Sequence, residues 1–164
     1  MENHLFGNIK VAIILGRFDD SKLDLVVKAQ DIPLGVPSIG TGTRTALSGD
    51  TGVTVKEASN AENIIHWPTI TLSNPNRRKE IYKAVVEALD SAEEINASQI
   101  GFFTMGLEIA RLPTWEIAEE IVKAINEFSK RDSQLTQIML VASSPTQVSS
   151  FQFAVNNISI ISGK

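Results

Sequence analysis

The chain has 164 residues, 43% hydrophobic and 21% charged, with a formal net charge of -4 and a pI near 5.2. That size predicts one domain over residues 1–164 with a sizeable core, and the acidic balance argues against non-specific binding to nucleic acid or an anionic membrane, which surplus Lys and Arg would drive. The lack of Cys removes disulfides, thiolate nucleophiles and Cys-ligated metals, and no apolar run approaches the ~20 residues that span a bilayer, so the expected compartment is the cytoplasm.

The opening Met1-Glu2-Asn3-His4 is polar and reads as a free terminus with His4 in solvent. Residues 10–15 (Lys-Val-Ala-Ile-Ile-Leu) and 23–27 (Leu-Asp-Leu-Val-Val) are short, β-branched and bounded by turn residues, which predicts two strands joined by a polar loop over residues 17–22. The composition then shifts to Gly, Pro, Ser and Thr. Five of the ten glycines, Gly35, Gly40, Gly42, Gly49 and Gly52, fall in residues 32–52, and such a window inside one domain predicts a binding loop rather than a linker. Residues 52–57 alternate like an exposed strand, and residues 63–72 like a more buried one interrupted by Pro68. His66, with no second His or Cys nearby, reads as a structural histidine.

Asn74 followed by Pro75 predicts an N-cap and first helical position. The helix they open places Ile81, Val85, Ala88, Leu89 and Ala92 on one face and leaves Arg78, Lys79, Glu87 and Glu94 outside. Residues 98–105 predict a strand, and residues 115–128 an amphipathic helix with Trp115, Ile117, Ala118, Ile121, Ile125 and Phe128 as its core stripe. Trp67 and Trp115 both read as core. A strand ending at Ala142 leads to Ser144-Pro145-Thr146-Gln147, a capping box with Pro at its first helical position. Strands alternating with amphipathic helices predict an α/β fold with a largely parallel or mixed sheet between helices.

Two loops carry the chemistry. The first is Met105-Gly106-Leu107-Glu108-Ile109-Ala110-Arg111-Leu112-Pro113, which joins a buried strand to a helix start. That order sets backbone N–H groups and a positive helix end at the carboxyl edge of a sheet, where anions are held. The alternative is a loop in which Glu108 and Arg111 are solvated or paired. The second is Gly40-Thr41-Gly42-Thr43-Arg44-Thr45, whose close glycines let amides approach a phosphate. It has neither the Lys of a P-loop nor the preceding strand of a dinucleotide fingerprint, and a surface turn leading into a short helix over residues 43–48 is the other reading. No Ser–His–Asp triad, carboxylate pair, metal cluster or cofactor motif can be read from the spacing.

The strand, loop and helix of residues 99–128 resemble those of the macro domain, the α/β module that binds ADP-ribose. A second resemblance lies upstream, where Gly16 stands eight residues before Asp24 and Asp24-Leu25-Val26-Val27-Lys28-Ala29-Gln30-Asp31 matches the pattern of the family's Val-Asp-Ala-Ile-Val-Asn-Ala-Ala-Asn segment. Together they cover roughly residues 9–155. The resemblance implies a three-layer α/β/α domain with a mixed central sheet, and a cleft formed by Gly16, Arg17 and Phe18, by residues 31–42 with Gly40, Thr41 and Gly42, and by Met105, Gly106, Leu107, Ile109 and Arg111. Its ligand would be ADP-ribose or a related nucleotide.

The resemblance also marks departures. Arg17 stands where the family carries an Asp that accepts from adenine, Lys28 replaces the first Asn, Asp31 the second, and Thr41 an Asp. An Arg or Lys cannot accept a hydrogen bond, and the lost amides could both donate and accept. In one branch that removes ADP-ribose from glutamate the second loop reads Gly-Leu-Asp-Arg-Leu before Trp-Glu, comparable to Gly106-Leu107-Glu108, Arg111-Leu112 and Trp115-Glu116, but Ser48 stands where that branch has its Lys nucleophile. Three readings follow: a nucleotide-binding module; an ADP-ribosyl hydrolase in which Glu108 or Asp31 positions or activates water; or a macro-like domain without ligand that serves in homo-oligomerisation or partner binding.

Overall fold

The computed structural model describes residues 2–29, 32–33, 54–55, 61–68, 73–104 and 112–162. Within them the chain runs β1 (Glu2–Phe6), β2 (Ile9–Leu15), a 3₁₀ turn (Asp20–Lys22), β3 (Leu25–Lys28), β4 (Ile32–Pro33), β5 (Thr54–Val55), β6 (Ile64–His66), α1 (Arg77–Glu94), β7 (Gln99–Phe103), α2 (Thr114–Phe128), β8 (Gln137–Ala142), α3 (Pro145–Asn156) and α4 (Ile158–Ile161). Strands β1 to β3 and β6 to β8 form one sheet in the order β1-β2-β8-β7-β3-β6, and β4 pairs with β5 in a separate two-stranded ribbon. Only the β1–β2 pair of the large sheet is antiparallel, so β2, β8, β7, β3 and β6 all end at one edge. None of the described helices is long and apolar enough to cross a membrane.

Strand alternation sends successive side chains to opposite faces, and the two faces differ. Val11, Ile13, Leu25, Val27, Ile100, Phe102, Ile138 and Leu140 point to one face, where they form a single core with the apolar stripes of α1, α2 and α3. Ala12, Val26, Phe103, Met139 and Val141 point to the other and meet Leu23, with Ile14, Phe18 and Ala61 packed at the margin. Among the described residues, all three long helices thus cover one face. The expected short helix over residues 43–48 lies outside the described residues.

The predicted α1 stripe is fully buried, from Ile81 to Ala92. Its start differs from expectation: Asn74 Oδ1 accepts from the Asn76 N–H at 2.8 Å, an Asx turn that delays the helix to Arg77 with Asn76 at the cap. Arg78, expected in solvent, instead joins α1 to α2 by donating to Glu119 Oε1 (2.9 Å) and Glu120 Oε2 (2.5 Å). Trp115 departs from the predicted core stripe. It is 50% exposed, with the Arg78 guanidinium 5.8 Å from its ring, because it stands about 120° round α2 from Ile121, off the stripe that buries Ile117, Ala118 and Ile121.

β1 is an element absent from the expectation, and His4 lies half-buried in it rather than in solvent. The signal was the Gly7-Asn8 dipeptide between Phe6 and Ile9, a two-residue hairpin turn whose Gly takes φ +61°. Of the expected strand over residues 63–72 only Ile64–His66 is described as strand, and Thr54–Val55 is the described part of that over residues 52–57.

Candidate functional site at the carboxyl edge

The five parallel strands deliver a compact set of side chains and backbone groups to their common carboxyl edge. Leu15, Ala142, Phe103, Lys28 and His66 are the terminal residues there. Cross-links tie neighbouring strand ends together: the Gly16 N–H donates to Ala142 O (2.9 Å), Thr104 N–H to Val141 O (3.1 Å) and Trp67 N–H to Lys28 O (3.0 Å). Trp67 is buried, as expected, and its indole Nε1–H donates to Phe103 O at 2.8 Å while its ring lies 5.9 Å from that of Phe102. These bonds hold the rim as a preorganised unit.

Of the site residues expected from the sequence, three are described. Gly16 ends β2 with φ +93°, a left-handed conformation that Gly adopts without strain and that turns the chain over the edge. Arg17 follows exposed on the surface, and Phe18 is half-buried against the second apolar cluster. Asp31, Gly40, Thr41, Gly42, Met105, Gly106, Leu107, Glu108, Ile109 and Arg111 lie outside the described residues. The described neighbours of residues 105–111 are Thr104, buried at the end of β7, and Leu112, buried below the start of α2.

After Phe18 the chain enters a closely bonded turn. Asp19 Oδ1 accepts from Ser21 N–H (3.0 Å) and Ser21 Oγ–H (2.7 Å), capping the 3₁₀ turn, and Leu23 N–H donates to Asp20 O (3.0 Å). Asp20 points inward. Its Oδ2 lies 2.8 Å from Lys28 Nζ, both side chains only 6% exposed, and the ammonium sits 4.4 Å from the centre of the Phe103 ring. A lysine in the strand run Leu25–Lys28, all four residues of which are buried, was the local sign of such a pair.

A second polar group was not anticipated in its actual role. Ser144 caps α3 as expected, its Oγ accepting from Gln147 N–H (3.2 Å). The Gln147 amide does not close the capping box; buried, it accepts from Thr104 Oγ1–H (2.6 Å) and Ser143 N–H (2.7 Å), tying the ends of β7 and β8 to the start of α3. A void of about 10 Å³ lies beside it, lined by Thr104, Thr114 and Phe151 among others, room for about one water molecule.

Asp24 behaves differently from the edge residues. It precedes β3 at the amino edge, where its Oδ2 accepts from Ser98 N–H (2.8 Å), Ser98 Oγ–H (3.1 Å) and Gln99 N–H (3.1 Å). Partial burial pushes its pKa up, and these hydrogen bonds more than offset that, holding the carboxyl below the ordinary carboxylate range. Its role is to join β3 to β7. His66, half-buried at the far end of the rim, has its Nδ1 buried without a hydrogen-bond partner among the described residues.

This architecture can be compared with solved structures. A variant of the Oceanobacillus iheyensis macrodomain with ADPR superposes with a TM-score of 0.66 at 14% identity, covering 96% of this chain and 97% of that one. The chain has the macrodomain fold. The same macrodomain with ADP gives 0.66 at 16% identity over 96% of this chain and 95% of that one. The Trypanosoma brucei macrodomain in complex with ADP-ribose gives 0.58 at 16% identity over 88% of this chain and 69% of that one. No protein-family model matches the sequence, and neither does any curated protein. The six-stranded mixed sheet with helices is that expected of a macrodomain.

Proposed function

We propose that this macrodomain-fold chain is a nucleotide-binding module that takes ADP-ribose or a related nucleoside diphosphate at the carboxyl edge of its sheet. The observation that carries the reading is the fold likeness over 96% of the chain to macrodomains solved with ADPR and with ADP. The edge geometry supports it, since a left-handed glycine turn, an exposed Arg17 and the starts of α2 and α3 lie where open α/β sheets bind ligands. The diphosphate would be held by backbone amides of residues 40–42 and 105–111 with the α2 start near Pro113, and the free side of Phe18 would pack on the base.

Binding is favoured over hydrolysis by Lys28. Where the resemblance places an amide able to donate and accept, the side chain is a donor only, and its ammonium is engaged by Asp20. In this reading Asp31 and Glu108 line the cleft and do not activate water.

Calorimetric titration with ADP-ribose, with AMP, ADP and NAD as controls, tests the proposal. Saturable binding that prefers ADP-ribose is expected. At a hundredfold excess over Kd the ligand stabilises the folded state by about 2.7 kcal/mol, raising the melting temperature by about 8 °C. No heat with any of the four, together with an unchanged melting temperature, overturns it.

A further inference from the structure

The Lys28–Asp20 pair is costly to build, because two charges leave water and only close geometry with further contacts repays that. Its placement gives it a use. Residues 16–22 are fastened to the edge at Gly16 by a backbone bond to Ala142, at Phe18 by apolar contact and at Asp20 by the ion pair, and between the first and last of these points lie Arg17, Phe18 and Asp19. The first fastening fixes only the start of the loop, and the second is a half-buried ring at the margin of a small cluster. The third is directional and buried, anchored on β3 and backed by the Phe103 ring, so it determines how far the loop lies down over the edge.

We propose that the buried Lys28–Asp20 pair is a latch that fixes residues 16–22 over the carboxyl edge, and that Lys28 is a positioning residue for Arg17 and Phe18 in nucleotide binding, an inference that rests on the reading above. The Lys28 ammonium is engaged by Asp20 and the ring, while Arg17 and Lys22 are the cations this loop presents at the surface, Arg17 beside Phe18 and next to the Gly16 turn. Release of the latch lets the loop sample positions in which Arg17 and Phe18 no longer face the ligand, and affinity falls in proportion to the time spent there.

The test uses Lys28→Met and the double variant Lys28→Met with Asp20→Asn. The single change leaves a buried carboxylate uncompensated and is expected to lower stability; the double change removes both charges and returns most of it. Two readouts are taken on folded protein: the initial rate of tryptic cleavage after Arg17, and the Kd for ADP-ribose. The latch predicts faster cleavage after Arg17 in both variants and a Kd raised about tenfold in both, even where the double variant melts near the parent. A purely structural pair predicts that the double variant recovers parental Kd with parental melting, which overturns the positioning role. Parental cleavage at Arg17 in the folded double variant overturns the latch itself, whatever the ligand result. Failure of the parent protein to bind ADP-ribose is seen in its own titration before any variant is made, and it removes the nucleotide reading while the cleavage rates still judge the latch.

Discussion

Phe102 and Phe103 are adjacent in β7 and face opposite sides of the sheet, and the two environments they enter are built on different principles. Phe102 joins a continuous apolar core that runs from β2 to β6 and takes in α1, α2 and α3. Phe103 joins a smaller cluster and serves as the floor for a buried ammonium, which is in turn bound to a loop carboxylate. The helical face derives its stability chiefly from area and close packing, with the Trp67 indole and the buried Gln147 amide as its polar ties near the carboxyl edge. The other face uses fewer contacts with more directional requirements, and it lies under the loop that bears Arg17 and Phe18. Stability and the candidate site are therefore largely separable in this fold, and the division runs through a single strand.

The sharpest way to break that comparison is to truncate each phenylalanine. Phe102→Ala leaves a cavity in the large core and is expected to cost about 4 kcal/mol, or about 12 °C in melting temperature, while the protein that remains folded keeps its ADP-ribose affinity. Phe103→Ala is expected to cost about 3 kcal/mol, part of it the lost ammonium–ring contact, and to weaken affinity as well by loosening Lys28. Thermal melts paired with titrations below the transition check both. Equal losses of affinity in the two variants would erase the distinction between the faces.

A smaller effect sharpens the contrast between the two edges of the sheet. Asp24 at the amino edge has a folded-state pKa below its unfolded value, so its contribution is present above the unfolded pKa of about 3.9 and is lost as pH falls through the folded pKa. Asp24→Asn is expected to lower stability at neutral pH by less than about 1 kcal/mol and to flatten the acid limb of the stability curve, with ligand affinity unchanged. Denaturant melts between pH 2 and 7 would show it, and a parental slope below pH 4 would mean that Asp24 is not one of the groups behind acid unfolding.

What was legible in the sequence follows the same division. Helical periodicity placed Ile81, Val85, Ala88, Leu89 and Ala92 correctly because every one of them meets the same continuous core, so local pattern and tertiary burial agree. Trp115 was misplaced because it was grouped with the stripe although it stands about 120° round the helix from Ile121, while Leu112 and Ile117 on either side of it are buried. Arg78 was assigned to solvent by position on its own helix, whereas its partners Glu119 and Glu120 lie more than forty residues away and carry no local signature. The same applies to Asp20 and Lys28, eight positions apart in sequence but joined only once β3 is in the sheet. Asn74-Pro75 was recognised as a helix signal, but Asn chooses between capping a helix and closing an Asx turn, and that choice is made by where the chain must enter. At the site, Gly16 was located by its place in the resemblance, eight residues before Asp24, and its φ of +93° is what only the structure shows; the role of Gln147 was not located, since its partners Thr104 and Ser143 meet it only once β7, β8 and α3 are assembled.

Amide hydrogen exchange with and without ADP-ribose reads both faces and both edges of the sheet in one measurement and so locates the nucleotide on the molecule. Slowed exchange on ligand addition is expected in segments covering residues 16–22 and in the ends of β7 and β8 near Thr104 and Ser143, with the outer turns of α1 and the Asp24 edge unchanged. Protection centred on α1 or on the amino edge, with the carboxyl edge unaffected, would contradict it.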